Sequence, residues 1–299
     1  MIFVGDLANS DLSNKLAEKL GVKVIFPDKH IFPDGEMRMR IIEEVAGEEI
    51  ILLKTHADPI DSSILETLFL IDVLKRNGAE AVTAIIPYLG YQRADHMFRT
   101  GEGVPLEVVI SGLEAVGLSK VILVDPHSIR IPELFHVPAV DLSAAEVFAE
   151  KIKSMDLPQG SFSVVTPDMG GIRRIKIISE MVGGAPYATI EKNRDLETGN
   201  VEAAKVEGEI KETCFIVDDM ISSGGTIVKA VDALKAQGAK TIYVMATHGV
   251  LSENAPKLLQ ESGAEKIFVT DSLPVSSEKK FDKLEILSIA DLIAKGIKS

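Results

Sequence analysis

The chain has 299 residues, 46% of them hydrophobic, and a formal net charge of −13. The apolar content excludes a disordered chain, and the length suits two domains of ordinary size. The acidic balance argues against a general nucleic-acid surface, which needs clustered basic residues to displace counterions, and suits a soluble metabolic protein.

A single cysteine, Cys214, allows neither an intrachain disulfide nor a thiolate metal cluster. The opening MIFVGDLANSD lacks the basic flank and long apolar core of a signal peptide and reads as a first strand. No apolar run reaches the length of a membrane span, so a cytoplasmic protein with no membrane and no nucleic-acid partner is expected. In chain order, short Val- and Ile-rich runs predict strands at 2–5, 22–26, 49–54, 81–88, 120–125, 163–168, 214–219, 241–248 and 266–271. Stretches of helical period lie between them. Runs apolar on both faces are what parallel strands covered by helices require. Several end in Asp, Pro or His, at the carboxyl ends where open α/β sheets bind ligands.

The chain repeats itself. IDVLKRNGAEAVTAIIPY (71–88) aligns without gaps on VDALKAQGAKTIYVMATH (231–248), with Asp72/Asp232, Leu74/Leu234, Lys75/Lys235, Gly78/Gly238 and Ala79/Ala239 identical at an offset of 160. Each copy reads as a helix closed by glycine and followed at once by a strand. At the same offset Ser62-Ser63 falls opposite Ser222-Ser223, and Ile64-Leu65 opposite Gly224-Gly225. The second half is expected to keep a glycine loop whose place the first fills with apolar side chains. The expected class is α/β: two duplicated domains, each a mainly parallel sheet flanked by helices. Their expected bounds are 1–143 and 144–284, with a C-terminal segment, 285–299, packing back on the first as an amphipathic helix.

FIVDDMISSGGT (215–226) carries the most chemistry. Asp218 and Asp219 are expected to end a strand, and Ser222, Ser223, Gly224, Gly225 and Thr226 to open a helix. Loop N–H groups, hydroxyls and the helix N-terminus together suit a phosphate monoester. The two carboxylates, several ångströms away, suit a vicinal diol, and ribose 5-phosphate has both ends. An SSGGT alone is equally an ordinary capped turn; the preceding IVDD tips the reading toward the sugar phosphate.

This stretch resembles the ribose-phosphate-binding signature of phosphoribosyltransferases, with Ser222 where Asp is common and Ser223 where Thr is common. Other segments, in order, resemble the motifs of the ribose-phosphate diphosphokinase (PRPP synthase) family: IFPDGEMRMRI (31–41), PYLGYQRADHMF (87–98), VDPHSIRIPELF (124–135), VVTPDMGGIRR (164–174), IEKNRD (190–195), ATHGVLSENA (246–255) and VTDSLP (269–274). The resemblance runs nearly the full length and implies two phosphoribosyltransferase-like domains. The implied reaction moves the β,γ-diphosphoryl group of ATP to the C1 hydroxyl of ribose 5-phosphate, giving PRPP and AMP, with Mg2+ as cofactor.

The resemblance also implies roles. Lys192 and Arg194 match the catalytic pair, with Arg194 also touching ribose 5-phosphate beside Asp218, Asp219 and the 222–226 loop. His127 and Asp168 match metal-ligand positions. Phe32, Asp34, Gly35, Glu36, Arg93, Asp95 and His127 match ATP positions, in a homo-oligomer, dimer or higher, whose ATP site is shared between subunits. Mg2+ prefers oxygen, so His127 is also suited to the phosphate or the ion's water. One departure stands out: Ala94 replaces the Gln usual after Arg93. Two alternatives are a non-catalytic regulatory homologue, which is expected to lose the metal or loop residues present here, and a PRPP-using phosphoribosyltransferase, which leaves the first half idle. No G-x-G-x-x-G follows the first strand, which disfavours a nicotinamide-dependent oxidoreductase.

Overall fold

A computed structural model describes residues 1–191 and 205–298, which form two compact units. The first comprises 1–143, 272–274 and 289–299, and the second 144–271 and 275–288. The chain thus returns to the first unit at 289 rather than 285, because 284–287 is a strand of the second sheet.

In the first unit β1 (Ile2–Val4), α1 (Ser10–Leu20) and β2 (Val24–Ile25) precede a hairpin, β3 (Asp28–Ile31) and β4 (Met37–Arg40). Then follow β5 (Glu49–Leu53), α2 (Ile60–Arg76), β6 (Ala81–Ile86), α3 (Pro105–Ala115), β7 (Lys120–Val124) and β8 (Ala139–Leu142). The second unit has α4 (Ala145–Ser154), β9 (Phe162–Thr166), α5 (Ile172–Met181), β10 (Tyr187–Glu191) and β11 (Lys205–Gly208). It continues with β12 (Thr213–Ile221), α6 (Gly225–Ala236), β13 (Thr241–Gly249), α7 (Ala255–Glu261), β14 (Lys266–Thr270) and β15 (Leu284–Leu287). Helix α8 (Ala290–Lys298) belongs to the first unit, where Gly296 lets it approach Leu142, whose side chain a Cβ would meet at 2.6 Å.

Six parallel strands run in the order β2-β1-β5-β6-β7-β8 in one sheet and β10-β9-β12-β13-β14-β15 in the other. Leaving the hairpin and β11 aside, both orders are second, first, third, fourth, fifth, sixth. Between the second and third of these strands the first unit inserts the hairpin; the second inserts 192–204, outside the described residues, and β11, antiparallel on β10. All nine sequence-predicted runs are strands. Among the described residues the six others are the hairpin strands DKHI, exposed throughout, and MRMR, which buries only Met39, then β8, β11 and β15 at sheet edges, where half-burial leaves no continuous apolar run, and β10, whose buried Ala188 and Ile190 are separated by a threonine.

The repeat is visible bond for bond. Gly78 and Gly238 sit past the ends of α2 and α6 at φ +87 and +96, the left-handed region that glycine enters without a Cβ penalty. Ala79 N–H donates to Leu74 O at 3.1 Å, and Ala239 N–H to Leu234 O at 3.0 Å. Upstream of the helices the equivalence shifts: β5 pairs Glu49 with Ala81, but β12 pairs Thr213 with Thr241. Helix α2 also starts one turn earlier than the 160 offset allows, so Ser62 and Ser63 are helical. Ser63 is buried, with its Oγ donating to Thr55 O at 2.9 Å. The serine pairs are therefore not structural equivalents. An extra helical turn, rather than Ile64-Leu65 alone, takes the place of the second unit's loop.

Each unit has its own core. In the second, Phe215 stacks on Tyr243 (centroids 5.0 Å apart, 20°) and meets Phe162 edge-on at 5.4 Å. Such pairs add about 0.5–1.5 kcal/mol to what burial alone contributes. This packing holds the β9–β12–β13 ladder from which the site residues emerge.

Candidate sugar-phosphate and nucleotide sites

In both sheets the chain reverses its direction of growth beside the first strand, so a crevice opens at the carboxyl ends of β1 and β5 and of β9 and β12. In the second unit Asp168, two residues beyond β9, and Asp218 and Asp219 of β12 bound this crevice. Asp219 N–H donates to Asp218 Oδ1 at 2.9 Å, and Asp219 is buried. Burial, then the charge and hydrogen bond of Asp219, then the charge of Asp168 push the Asp218 carboxyl up to about 8. The crowded carboxylates favour hydroxyl donors or a cation as company. Asp168 is fixed locally: its Oδ1 accepts from Gly170 N–H at 2.9 Å, and its carbonyl accepts from Thr166 Oγ1 at 3.0 Å.

The two acids do not end the strand. β12 continues to Ile221 because Met220 and Ile221 still pair with His248 and Gly249 of β13. The loop is therefore only Ser222 to Gly224, and α6 opens at Gly225. Gly224 has φ +82 and a would-be Cβ 3.4 Å from Leu259, so the turn needs glycine. Ser222 Oγ lies 3.2 Å from Ser252 Oγ, and Ser252 N–H donates to Ser222 O at 3.1 Å. That hydroxyl is turned toward the loop after β13. Facing outward are exposed Ser223, half-buried Thr226 and the first-turn N–H groups of α6, which have no acceptor inside the helix. A Cβ on Gly225 would have no atom within 4 Å, so open space lies before that helix end.

The first unit fills the same crevice from within. Lys54 Nζ lies 3.0 Å from Asp6 Oδ1 and 3.0 Å from Glu66 Oε2, and Glu66 also binds Lys29 of the hairpin. Burial pushes Glu66 up, but Lys29 and Lys54 outweigh it and hold its carboxyl below the ordinary value.

The nucleotide-side residues lie in the first unit. In the hairpin Phe32 N–H donates to Glu36 O at 2.8 Å, Asp34 Oδ1 accepts from Glu36 N–H at 3.1 Å, and Gly35 turns at φ +91. Phe32 is exposed, with His30 edge-on at 4.7 Å and the Arg38 guanidinium 5.9 Å over its ring. Arg93 is exposed, Asp95 Oδ1 lies 2.6 Å from His96 Nδ1, and exposed His127 follows β7. Gln92 joins the last two strand ends by accepting from His127 N–H at 3.0 Å. Lys192 and Arg194 lie outside the described residues. Among the described residues no three His, Cys, Asp or Glu side chains form a metal cage, and no helix is long and apolar enough to cross a membrane. Lys54, Gln92 and Ser252 were not among the residues expected to have a role. Gln92 and Ser252 stand inside motifs quoted for other residues, and Lys54 ends a predicted strand, where a buried lysine is unexpected.

Two sheets of this order define phosphoribosyltransferase-like α/β domains. Residues 1–117 match the family described as the N-terminal domain of ribose phosphate pyrophosphokinase, and 200–299 the phosphoribosyl synthetase-associated domain. A ribose-phosphate pyrophosphokinase of Bifidobacterium longum is 36% identical over 304 residues, covering 100% of this chain and 89% of that protein. That of Mycobacterium leprae is 35% identical over 301 residues, covering 100% and 91%. The crystal structure of phosphoribosylpyrophosphate synthetase from Mycobacterium smegmatis superposes with a TM-score of 0.91 at 34% identity, covering 99% of this chain and 97% of that one. The chain belongs to the ribose-phosphate pyrophosphokinase family.

Proposed function

We infer that this chain is an active ribose-phosphate diphosphokinase, transferring the β,γ-diphosphoryl group of ATP to the C1 hydroxyl of ribose 5-phosphate to give PRPP and AMP. The observation that carries the reading is the asymmetry of the two crevices: a lysine bridge closes the first, while the second keeps a carboxylate pair and an open glycine-hydroxyl helix start. Family membership supplies the reaction class.

In this reading Asp218 and Asp219 accept from the sugar hydroxyls, and the N–H groups of 224–226 with Ser223 and Thr226 hold the 5-phosphate. The diol and phosphate together orient C1 for in-line attack at the β-phosphorus. Lys192 and Arg194 neutralise the transferring phosphates and exclude water. Phe32, Asp34 and Glu36 take the adenine, and Arg93, Asp95 and His127 the phosphate side, in an oligomer that shares the ATP site between subunits in the cytoplasm.

Mg2+ fits the donor set: it is commonly held by one or two carboxylates plus substrate phosphates rather than a protein cage, and Asp168 stands among carboxylates whose mutual charge a dication relieves. Bound there with ATP, it would neutralise the triphosphate.

Phosphorus NMR of the protein with ATP, Mg2+ and ribose 5-phosphate tests the reading. AMP and a C1 diphosphate ester are expected together; ADP, or no reaction, overturns it.

A further inference from the structure

Three neighbouring strand ends of the first sheet are stitched together by two buried side chains. After β5, fully buried His56 accepts on Nδ1 from Gly90 N–H at 2.9 Å. After β6, Gln92, only 1% exposed, accepts on Oε1 from His127 N–H, which follows β7. Tyr91, between them, takes φ +61, and the turn it makes puts Gln92 inside and Arg93 outside. Gln92 thus ties the loop of Arg93 to the loop of His127.

Its burial is otherwise unexplained. The Gln92 Nε2 has no hydrogen-bond partner among the described residues. A buried amide with its donor unmatched costs stability that methionine or leucine of similar volume would spare. What the buried amide does supply is its acceptor, which holds the His127 N–H. Ala94, meanwhile, acts only through its backbone, its N–H donating to Tyr91 O at 2.8 Å and its carbonyl accepting from Leu106 N–H at 3.4 Å.

We propose that Gln92 is a positioning residue for the ATP side of the site: its carbonyl fixes the backbone at His127 relative to Arg93. The proposal rests on the ATP-side reading of Arg93 and His127.

The test uses the full chain with Gln92→Met, which keeps volume and loses the acceptor, and Gln92→Ala as the second variant. Hydrogen exchange at the His127 amide is expected to quicken in both. The KM for ATP is expected to rise about tenfold, with the KM for ribose 5-phosphate unchanged and the Met variant at least as heat-stable as the parent. Faster His127 exchange with an unchanged KM for ATP would make Gln92 a core residue only and overturn the proposal. An equal rise in both KM values would overturn it as well. If the parent makes no PRPP, the functional reading has failed separately; calorimetry with ATP then decides, with weaker binding by Gln92→Met in support and equal or absent binding against.

Discussion

Lys54 stands in the first sheet where Asp218 stands in the second, each five residues beyond the equivalent pairings Glu49–Ala81 and Thr213–Thr241. Lys54 is nearly buried against Asp6 and Glu66. One charge reversal thus separates a crevice that closes on itself from one that asks for a ligand. Lys54→Met leaves Asp6 and Glu66 without their shared cation and is expected to cost about 3–5 kcal/mol in urea unfolding. Adding Asp6→Asn, which keeps an acceptor for Thr55 N–H, is expected to recover part of that loss. Strictly additive losses would mean the pair is not coupled.

His56 sets an acid limit. Burial first, and Lys54 second, lower its pKa from 6.5 to about 3. The unfolded chain therefore binds the proton more readily between these values, and the fold loses stability as pH falls below about 6.5. Unfolding at pH 7 and pH 5 is expected to differ by about 2 kcal/mol more in the parent than in His56→Gln. Equal slopes would remove His56 from the account.

Asp218 has the opposite sign. Its raised pKa means that the folded state holds a proton the unfolded chain has lost, so ligand-free stability falls as pH rises from the ordinary carboxylate range to about 8. Asp218→Asn is expected to flatten this slope. Asp219→Asn is expected to weaken ribose 5-phosphate binding about tenfold by calorimetry. Unchanged affinity would refute the diol contact.

The two loop glycines separate folding from binding. Gly224→Ala forces a left-handed residue and is expected to cost about 1–2 kcal/mol in stability. Gly225→Val projects into open space and is expected to leave the melting temperature within a few degrees while lowering ribose 5-phosphate affinity. Full affinity would place the phosphate elsewhere.

Lys192→Ala is expected to lower turnover about a hundredfold, as the loss of one transition-state donor does, with ribose 5-phosphate affinity nearly intact. Surviving turnover would reassign the loop.

The central strands were legible because burial on both faces writes an unbroken apolar run, as in IILL of β5 and CFIV of β12. The hairpin strands were not legible, since DKHI is exposed throughout and MRMR buries only Met39 among its four residues. In the site, residue type and spacing announced Asp218 through Thr226, but the turning of Ser222 toward Ser252 depends on a loop 30 residues away. Lys54 and Gln92 escaped notice for a shared reason: their partners, Asp6 and His127 beyond separate strands and Glu66 on α2, meet them only in the folded unit.

Two returns from helix to strand have the same length in both halves, Arg76 to Ala81 with Ala236 to Thr241 and Ala115 to Lys120 with Glu261 to Lys266, although the first return of each unit differs. On the opposite edge 24 positions separate Ala81 from Pro105, but only 14 separate Thr241 from Ala255. One rim of each sheet thus keeps these two returns alike while the other drifts in length between the halves. Loops grafted between the halves on the free rim are therefore expected to fold without disturbing the ladders beneath. The drifting rim is where a descendant could acquire a new substrate at the least structural cost.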